Sequence, residues 1–147
     1  MQAALTDKEG LVNHMEEAVA YMRETYPNSK LGVVGWCFGG MFSLQVSLAC
    51  PLDATVIYYG NLVSTAEEVQ PLSSPVLGLF GELDTGIKVE YVRKFESALK
   101  EAGKEHEIHV YPGANHAFAN PSGKYYKEDA AQDAWSKTLA FFQKHLV

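Results

Sequence analysis

Residues 31–40 read Leu-Gly-Val-Val-Gly-Trp-Cys-Phe-Gly-Gly, and the rest of the chain is organised around them. Leu31 to Val34 form an apolar run of strand length, and Met41 to Ala49 an apolar segment of helix length. Gly35, Gly39 and Gly40 lie between, with Cys37 among them. Gly-x-Cys-x-Gly between a strand and a helix is the pattern of a sharp turn that presents a nucleophile above the carboxyl edge of a sheet. The backbone of such a turn is strained, so the residues two positions either side must lack bulk, and Gly35 and Gly39 meet that demand. The start of a helix also favours a thiolate. A buried structural Cys in a Gly-rich turn fits the same five residues, so the choice falls to the rest of the chain.

The sequence has 147 residues, 47% hydrophobic and 20% charged, which is enough for one domain over residues 1–147 with its own core. A net charge of −6 argues against nucleic acid and against an acidic membrane surface. No apolar run approaches the ~20 residues of a membrane helix. The first ten residues, MQAALTDKEG, lack the regions of a secretory leader. Cys37 and Cys50 fall at opposite ends of the expected helix, ~18 Å apart at 1.5 Å per residue, so they are not paired within it. Reduced thiols and a cytoplasmic setting follow as expectations. Neither Cys has metal-ligand or redox-pair spacing, and His106, His109 and His145 share no ligand pattern, so no metal is expected.

Thr6-Asp7-Lys8-Glu9 reads as a capping box. Leu11, Val12, Met15, Ala18, Val19 and Met22 then recur at helical spacing, predicting a helix from about Asp7 to Thr25, with His14 on its surface or boundary. Ala54 to Tyr59 reads as a second strand, ended by Gly60-Asn61. Ser64 to Val69 fits a short helix with Ser64 as its cap. Val76 to Phe80 is a third strand running into the polar loop Gly81-Glu82-Leu83-Asp84. Lys88 to Ala102 is amphipathic and ends at Gly103. His106 to Tyr111 alternates as a fourth strand. Lys127 to Leu146 is the last helix, with Ala130, Ala131, Ala134, Trp135, Thr138, Leu139 and Phe142 expected to face inward. Strands alternating with helices predict an α/β fold: a three-layer α/β/α sandwich with about four parallel strands.

In such a sheet, ligands bind at the carboxyl ends of the strands. Cys37 follows the first strand, Asp84 the third and His116 the fourth, in the order nucleophile, acid, histidine. The types suit one another. His accepts the nucleophile's proton or stabilises its anion, and Asp fixes the tautomer and orientation of the His. Each has a plainer reading, Asp84 as the cap of a turn and His116 as a loop residue, but the joint order after successive strands favours a catalytic set. Trp36 either lines a pocket or packs below it.

Four stretches carry a resemblance to a known family: Gly35-Trp36-Cys37-Phe38-Gly39-Gly40, Tyr58-Tyr59-Gly60, Pro75 to Asp84, and Tyr111-Pro112-Gly113-Ala114-Asn115-His116-Ala117-Phe118. Over residues 10–147 the chain resembles the dienelactone hydrolases, members of the α/β-hydrolases. The resemblance implies a Cys37–His116–Asp84 triad that hydrolyses a small ester or lactone without a cofactor. The Phe38 backbone amide would serve the oxyanion hole. Trp36, Tyr59, Asn61 and Phe118 are candidate pocket residues, and Tyr125 and Tyr126 candidates to close over it. Family members commonly carry further strands before the elbow, so a truncated domain is expected here. Asn120 stands where an arginine for a substrate carboxylate is common. Without those strands the elbow strand becomes a sheet edge, and a homodimer through that edge is the expected remedy. The alternative is a weakly active or non-catalytic scaffold.

Overall fold

Residues 7–147 are described by the computed structural model. Four strands, β1 (Gly32–Trp36), β2 (Ala54–Tyr58), β3 (Val76–Gly81) and β4 (His106–Tyr111), form one parallel sheet in the order β1-β2-β3-β4. The register sets Trp36 beside Tyr58, Tyr58 beside Leu79 and Gly81 beside Tyr111, so the loops leaving all four strands meet at one end. The helices are α1 (Lys8–Thr25), α2 (Phe38–Ala49), α3 (Ala66–Val69), α4 (Val89–Glu101) and α5 (Glu128–Leu146). The expected α/β fold with four parallel strands is what the chain adopts, with element ends shifted by a few residues.

Strands buried on both faces should be continuously apolar, and β2 and β3 are buried at every position. One face packs Ile57, Val76 and Phe80 against Leu44 of α2 and Val92, Phe95 and Leu99 of α4. The other packs Val56, Tyr58, Leu77 and Leu79 against Phe118 and the α5 residues Ala134 and Phe141. The buried hydroxyls at the sheet are paired. Ser47 and Ser74 each share a hydrogen bond with Thr55, at 2.6 and 2.7 Å, tying α2 to the entrances of β2 and β3. The Tyr58 hydroxyl donates to Thr138, whose own hydroxyl donates to the Ala134 carbonyl.

Three expectations change, and α1 proves lightly packed. The Thr6 capping box lies partly outside the described residues, and the cap of α1 is Asp7, whose carboxylate accepts from the Gly10 amide. Helix α3 is capped by Thr65, not Ser64, through a reciprocal box with Glu68. Helix α1 buries none of its apolar residues, because it lies beside α2 at the sheet edge and covers little of the sheet. On α5, Ala130, Ala134, Thr138 and Phe141 face inward, while Trp135 and Leu139 remain 47% and 51% exposed. Phe142 and Leu146 reach Gly32 of β1. With Trp135 and Leu139 they make an i, i+4, i+7, i+11 stripe on the α5 flank beside the β1 edge.

Candidate active site

The turn from β1 into α2 is built by close backbone approach. A Cβ on Gly35 would lie 2.1 Å from the Gly39 carbonyl oxygen. A Cβ on Gly60 would lie 2.3 Å from the Met41 nitrogen, and one on Gly40 2.5 Å from the Tyr58 carbonyl oxygen. These three glycines let α2 start directly over the ends of β1 and β2. Gly39 differs from the sequence expectation: a Cβ there would meet nothing within 4 Å, so space does not demand it. Cys37 itself has φ 56° and ψ −116°, a conformation that L side chains rarely adopt. Its N–H donates to the Tyr58 carbonyl at 3.0 Å, which holds the turn against β2. No side chain caps α2, and the Phe38 N–H, first in the helix, has no intrahelical acceptor.

The histidine loop is clamped to the end of β3. Leu83 N–H donates to the Ala114 carbonyl at 2.8 Å, and Gly113 N–H donates to the Glu82 carboxylate at 2.8 Å. Gly81 permits this, since a Cβ there would meet the Ala114 and Asn115 carbonyls at 2.6 and 2.8 Å. The positioning roles of Gly81 and Glu82 were not read from the sequence. Only the Gly-Glu-x-Asp spacing hinted at them.

These supports bring Cys37, His116 and Asp84 into a chain of contacts. His116 Nδ1 is 2.7 Å from Asp84 Oδ2, and His116 Nε2 is 3.1 Å from Cys37 Sγ. An ionised carboxylate only accepts, so Nδ1 carries the proton toward Asp84 and Nε2 faces the sulfur. The Asp84 side chain is 1% exposed, and its other oxygen accepts from the Gly86 and Ile87 amides at 2.9 and 2.8 Å. Asp84 therefore caps its turn and holds His116 together. His116 is about one-third exposed and Cys37 is exposed, so both reach solvent.

A cleft of about 310 Å³ opens over the sulfur, lined by Trp36, Cys37, Tyr59, Ala117, Ala119 and Asn120. Trp36 lies at its wall, 42% exposed and stacked on Tyr58 at 5.1 Å, so it is not a core residue. Of the other pocket candidates, Tyr59 lines the cleft. Phe118 is fully buried behind Tyr59, and Asn61 is exposed outside the lining. Tyr125 and Tyr126 are exposed and line no part of it. Ala117 and Ala119 were missed, because an alanine carries no chemical signal. Burial, Tyr58 and the Cys37 sulfur all push the Tyr59 phenol upward, keeping it protonated, against a smaller opposing effect of the Ala119 N–H. Cys50 lies far from this site. Burial and then Glu16 push its thiol up, against the opposing pull of Arg23. Among the described residues no three His, Cys, Asp or Glu side chains converge to hold a metal. No helix there is long and apolar enough to cross a membrane.

A parallel sheet with a strained Cys at a strand–helix turn and a His–Asp pair on later loops defines an α/β-hydrolase fold. Among solved structures, a protein of Klebsiella pneumoniae provisionally named a dienelactone hydrolase matches with a TM-score of 0.73 and 34% identity, over 78% of this chain and 52% of its own. A dienelactone hydrolase-like promiscuous phosphotriesterase from metagenomic libraries shares the fold over the whole chain, with a TM-score of 0.83 and 21% identity. In sequence, a Saccharolobus solfataricus protein provisionally named carboxymethylenebutenolidase is 35% identical over 115 residues, 78% of this chain and 44% of its own length. A Yersinia pestis protein of the same provisional name is 34% identical over 151 residues, 96% of this chain and 57% of its own. The model of the dienelactone hydrolase family matches residues 1–146, and the chain belongs to that family. It spans about half the length of these two relatives.

Proposed function

We propose that this chain hydrolyses a small carboxylic ester or lactone, with Cys37 as nucleophile, His116 as general base and acid, and Asp84 as the group that orients His116. The observation that carries this reading is the contact chain from Cys37 Sγ through His116 to Asp84 Oδ2, at 3.1 and 2.7 Å, at the mouth of a cleft.

In the reaction, His116 Nε2 takes the thiol proton as Sγ attacks the acyl carbon. The carbonyl oxygen becomes an oxyanion, for which the unpaired Phe38 N–H at the start of α2 is the candidate donor. The imidazolium returns its proton to the departing alcohol oxygen, leaving a thioester on Cys37. Water, deprotonated by His116, then attacks the thioester and releases the acid and the thiol. A family name that includes lactones and relatives named as a butenolidase support an acyl substrate with an oxygen leaving group. Two unpaired thiols fit a reducing compartment such as the cytoplasm.

The same reading extends to assembly. The outer edge of β1 has no strand partner among the described residues, and an uncharged edge strand invites pairing. We propose a second copy of this chain as its occupant.

The test is p-nitrophenyl acetate turnover with mass spectrometry of the Cys37 peptide. The expected result is an acetyl adduct on Cys37 and turnover that is lost in Cys37→Ala. Turnover that survives Cys37→Ala would overturn the assignment.

A further inference from the structure

Tyr59 is a polar residue of the cleft that the mechanism above leaves without a task. It follows β2 with φ 36°, left-handed backbone that a bulky residue occupies only when its surroundings enforce it. Its N–H donates to the Leu79 carbonyl at 2.9 Å, and its ring lies 5.2 Å from His116 and 5.4 Å from Phe118. The residue is 2% exposed, and the surface it keeps lies in the cleft with Cys37. The Ala119 N–H is the group that opposes protonation of the phenol, and no side chain or carbonyl among the described residues accepts its O–H proton. A hydroxyl on a buried ring packed beside the imidazole, open to the cleft and with no acceptor for its proton among the described residues, is a donor available to a ligand.

The chemistry says which ligand atom needs it. In a tetrahedral intermediate on Cys37, two groups compete to leave, the thiolate and the alcohol oxygen. A thiolate, from an acid of pKa ~8.5, leaves far more readily than an alkoxide. Without help at the oxygen, the intermediate returns to starting ester. Serine in the same place faces a smaller bias, because its own leaving group is also an alkoxide. His116 supplies a proton to that oxygen, so a donor packed beside His116 lies on the leaving-group side of the cleft.

We propose that the Tyr59 hydroxyl hydrogen-bonds the alcohol oxygen of the ester or lactone as the C–O bond breaks. This rests on the Cys37–His116 reading. The proton that ends on the alcohol comes from His116, and the electron pair of the broken bond stays on the alcohol oxygen. Tyr59 lends a hydrogen bond and keeps its own proton.

The experiment compares wild type with Tyr59→Phe on three acetates of rising leaving-group basicity: p-nitrophenyl, phenyl and p-methylphenyl. Alkylation of Cys37 by iodoacetamide is measured beside them, since that reaction needs thiolate but expels no alcohol. The inference expects Tyr59→Phe to lose less than about threefold in kcat/KM on p-nitrophenyl acetate and tenfold or more on p-methylphenyl acetate. The alkylation rate stays within about twofold, showing that Cys37 and His116 are undisturbed. An equal loss on all three acetates, or none, overturns the inference. A matching fall in alkylation also overturns it, since Tyr59 would then act by packing His116. A wild type without Cys37-dependent acylation by p-nitrophenyl acetate fails the hydrolase reading itself, and is recognised before Tyr59 is altered.

Discussion

Cys37, Tyr59 and Ala117 have positive φ, and all three line the same cleft. Backbone strain of this kind costs on the order of 1–3 kcal/mol per residue and persists where surrounding structure enforces it. Ala117, at φ 60°, is the simplest place to release it. Ala117→Gly is expected to stabilise the fold by about 0.5–1 kcal/mol in urea denaturation, and a loss of stability would show that the strain is not there. Asp84→Asn keeps the shape of the side chain but removes the acceptor that fixes the His116 proton on Nδ1. Ester turnover is expected to fall about a hundredfold or more, with the fold intact by circular dichroism. That Cys37, Asp84 and His116 come together was legible in the sequence, because topology ties each to the loop after a strand and their chemical types are distinctive. Of the pocket candidates Trp36 and Tyr59 line the cleft, but Asn61 and Phe118 do not, because the direction of a side chain at a strand end depends on pairing and on the loop above it. Phe118 therefore turned under Tyr59, and Asn61 turned away.

At the scale of elements, α1 is the most lightly held helix, and one carboxylate ties it down. Asp53 accepts from Arg23 of α1 at 2.8 Å and from the Leu31 amide at the entrance to β1 at 2.7 Å. Burial works to raise the Asp53 carboxyl, but the Leu31 amide and the Arg23 guanidinium outweigh it and hold it below the ordinary range. A carboxyl depressed in the folded state adds stability above its unfolded pKa of ~3.9, and that stability is lost as pH falls through the folded value. The pair is about one-third exposed, so the effect is on the order of 1 kcal/mol or less. Asp53→Asn is therefore expected to be less stable than wild type at pH 7, with the gap closing in acid. A gap that does not change with pH would contradict it. The amphipathic period predicted α1 correctly as a helix but said nothing of its burial, because periodicity shows that a face is apolar and not what covers it. The same limit explains α5. Its apolar residues cover more than half its circumference, and only the packing against β2 and β3 selects Ala134, Thr138 and Phe141 over Trp135 and Leu139.

For the whole molecule, the two edges of the sheet differ in kind. Edge strand β4 carries His106, Glu107 and His109, charge-bearing side chains of the sort that discourage strand addition. Edge strand β1 reads Gly-Val-Val-Gly-Trp, with Val33 and Val34 only partly covered. On one side of it lies the α5 stripe with Trp135 and Leu139, and on the other an apolar crevice of about 220 Å³ between α1 and β1, lined by Met15, Val19, Met22, Leu31 and Val33 among others. Two copies meeting on this face would cover all three features at once. Light scattering at micromolar concentration is expected to give twice the chain mass, and Trp135→Glu with Leu139→Glu is expected to give the monomer with the fold retained. A wild-type monomer would contradict the pairing. The place of β1 at an apolar sheet edge was foreseen from the sequence, whereas the order of the other strands was not. The unpaired flank of α5 was not, since it exists only once the neighbouring elements are in place.

The central claim is that His116 activates Cys37 for attack on an ester, and the most direct measurement is alkylation of Cys37 by iodoacetamide in a Cys50→Ser background, with and without His116→Ala. The account predicts rapid alkylation near pH 7 that slows tenfold or more without His116, together with p-nitrophenyl acetate turnover that needs both residues. Alkylation and turnover indifferent to His116 would contradict it.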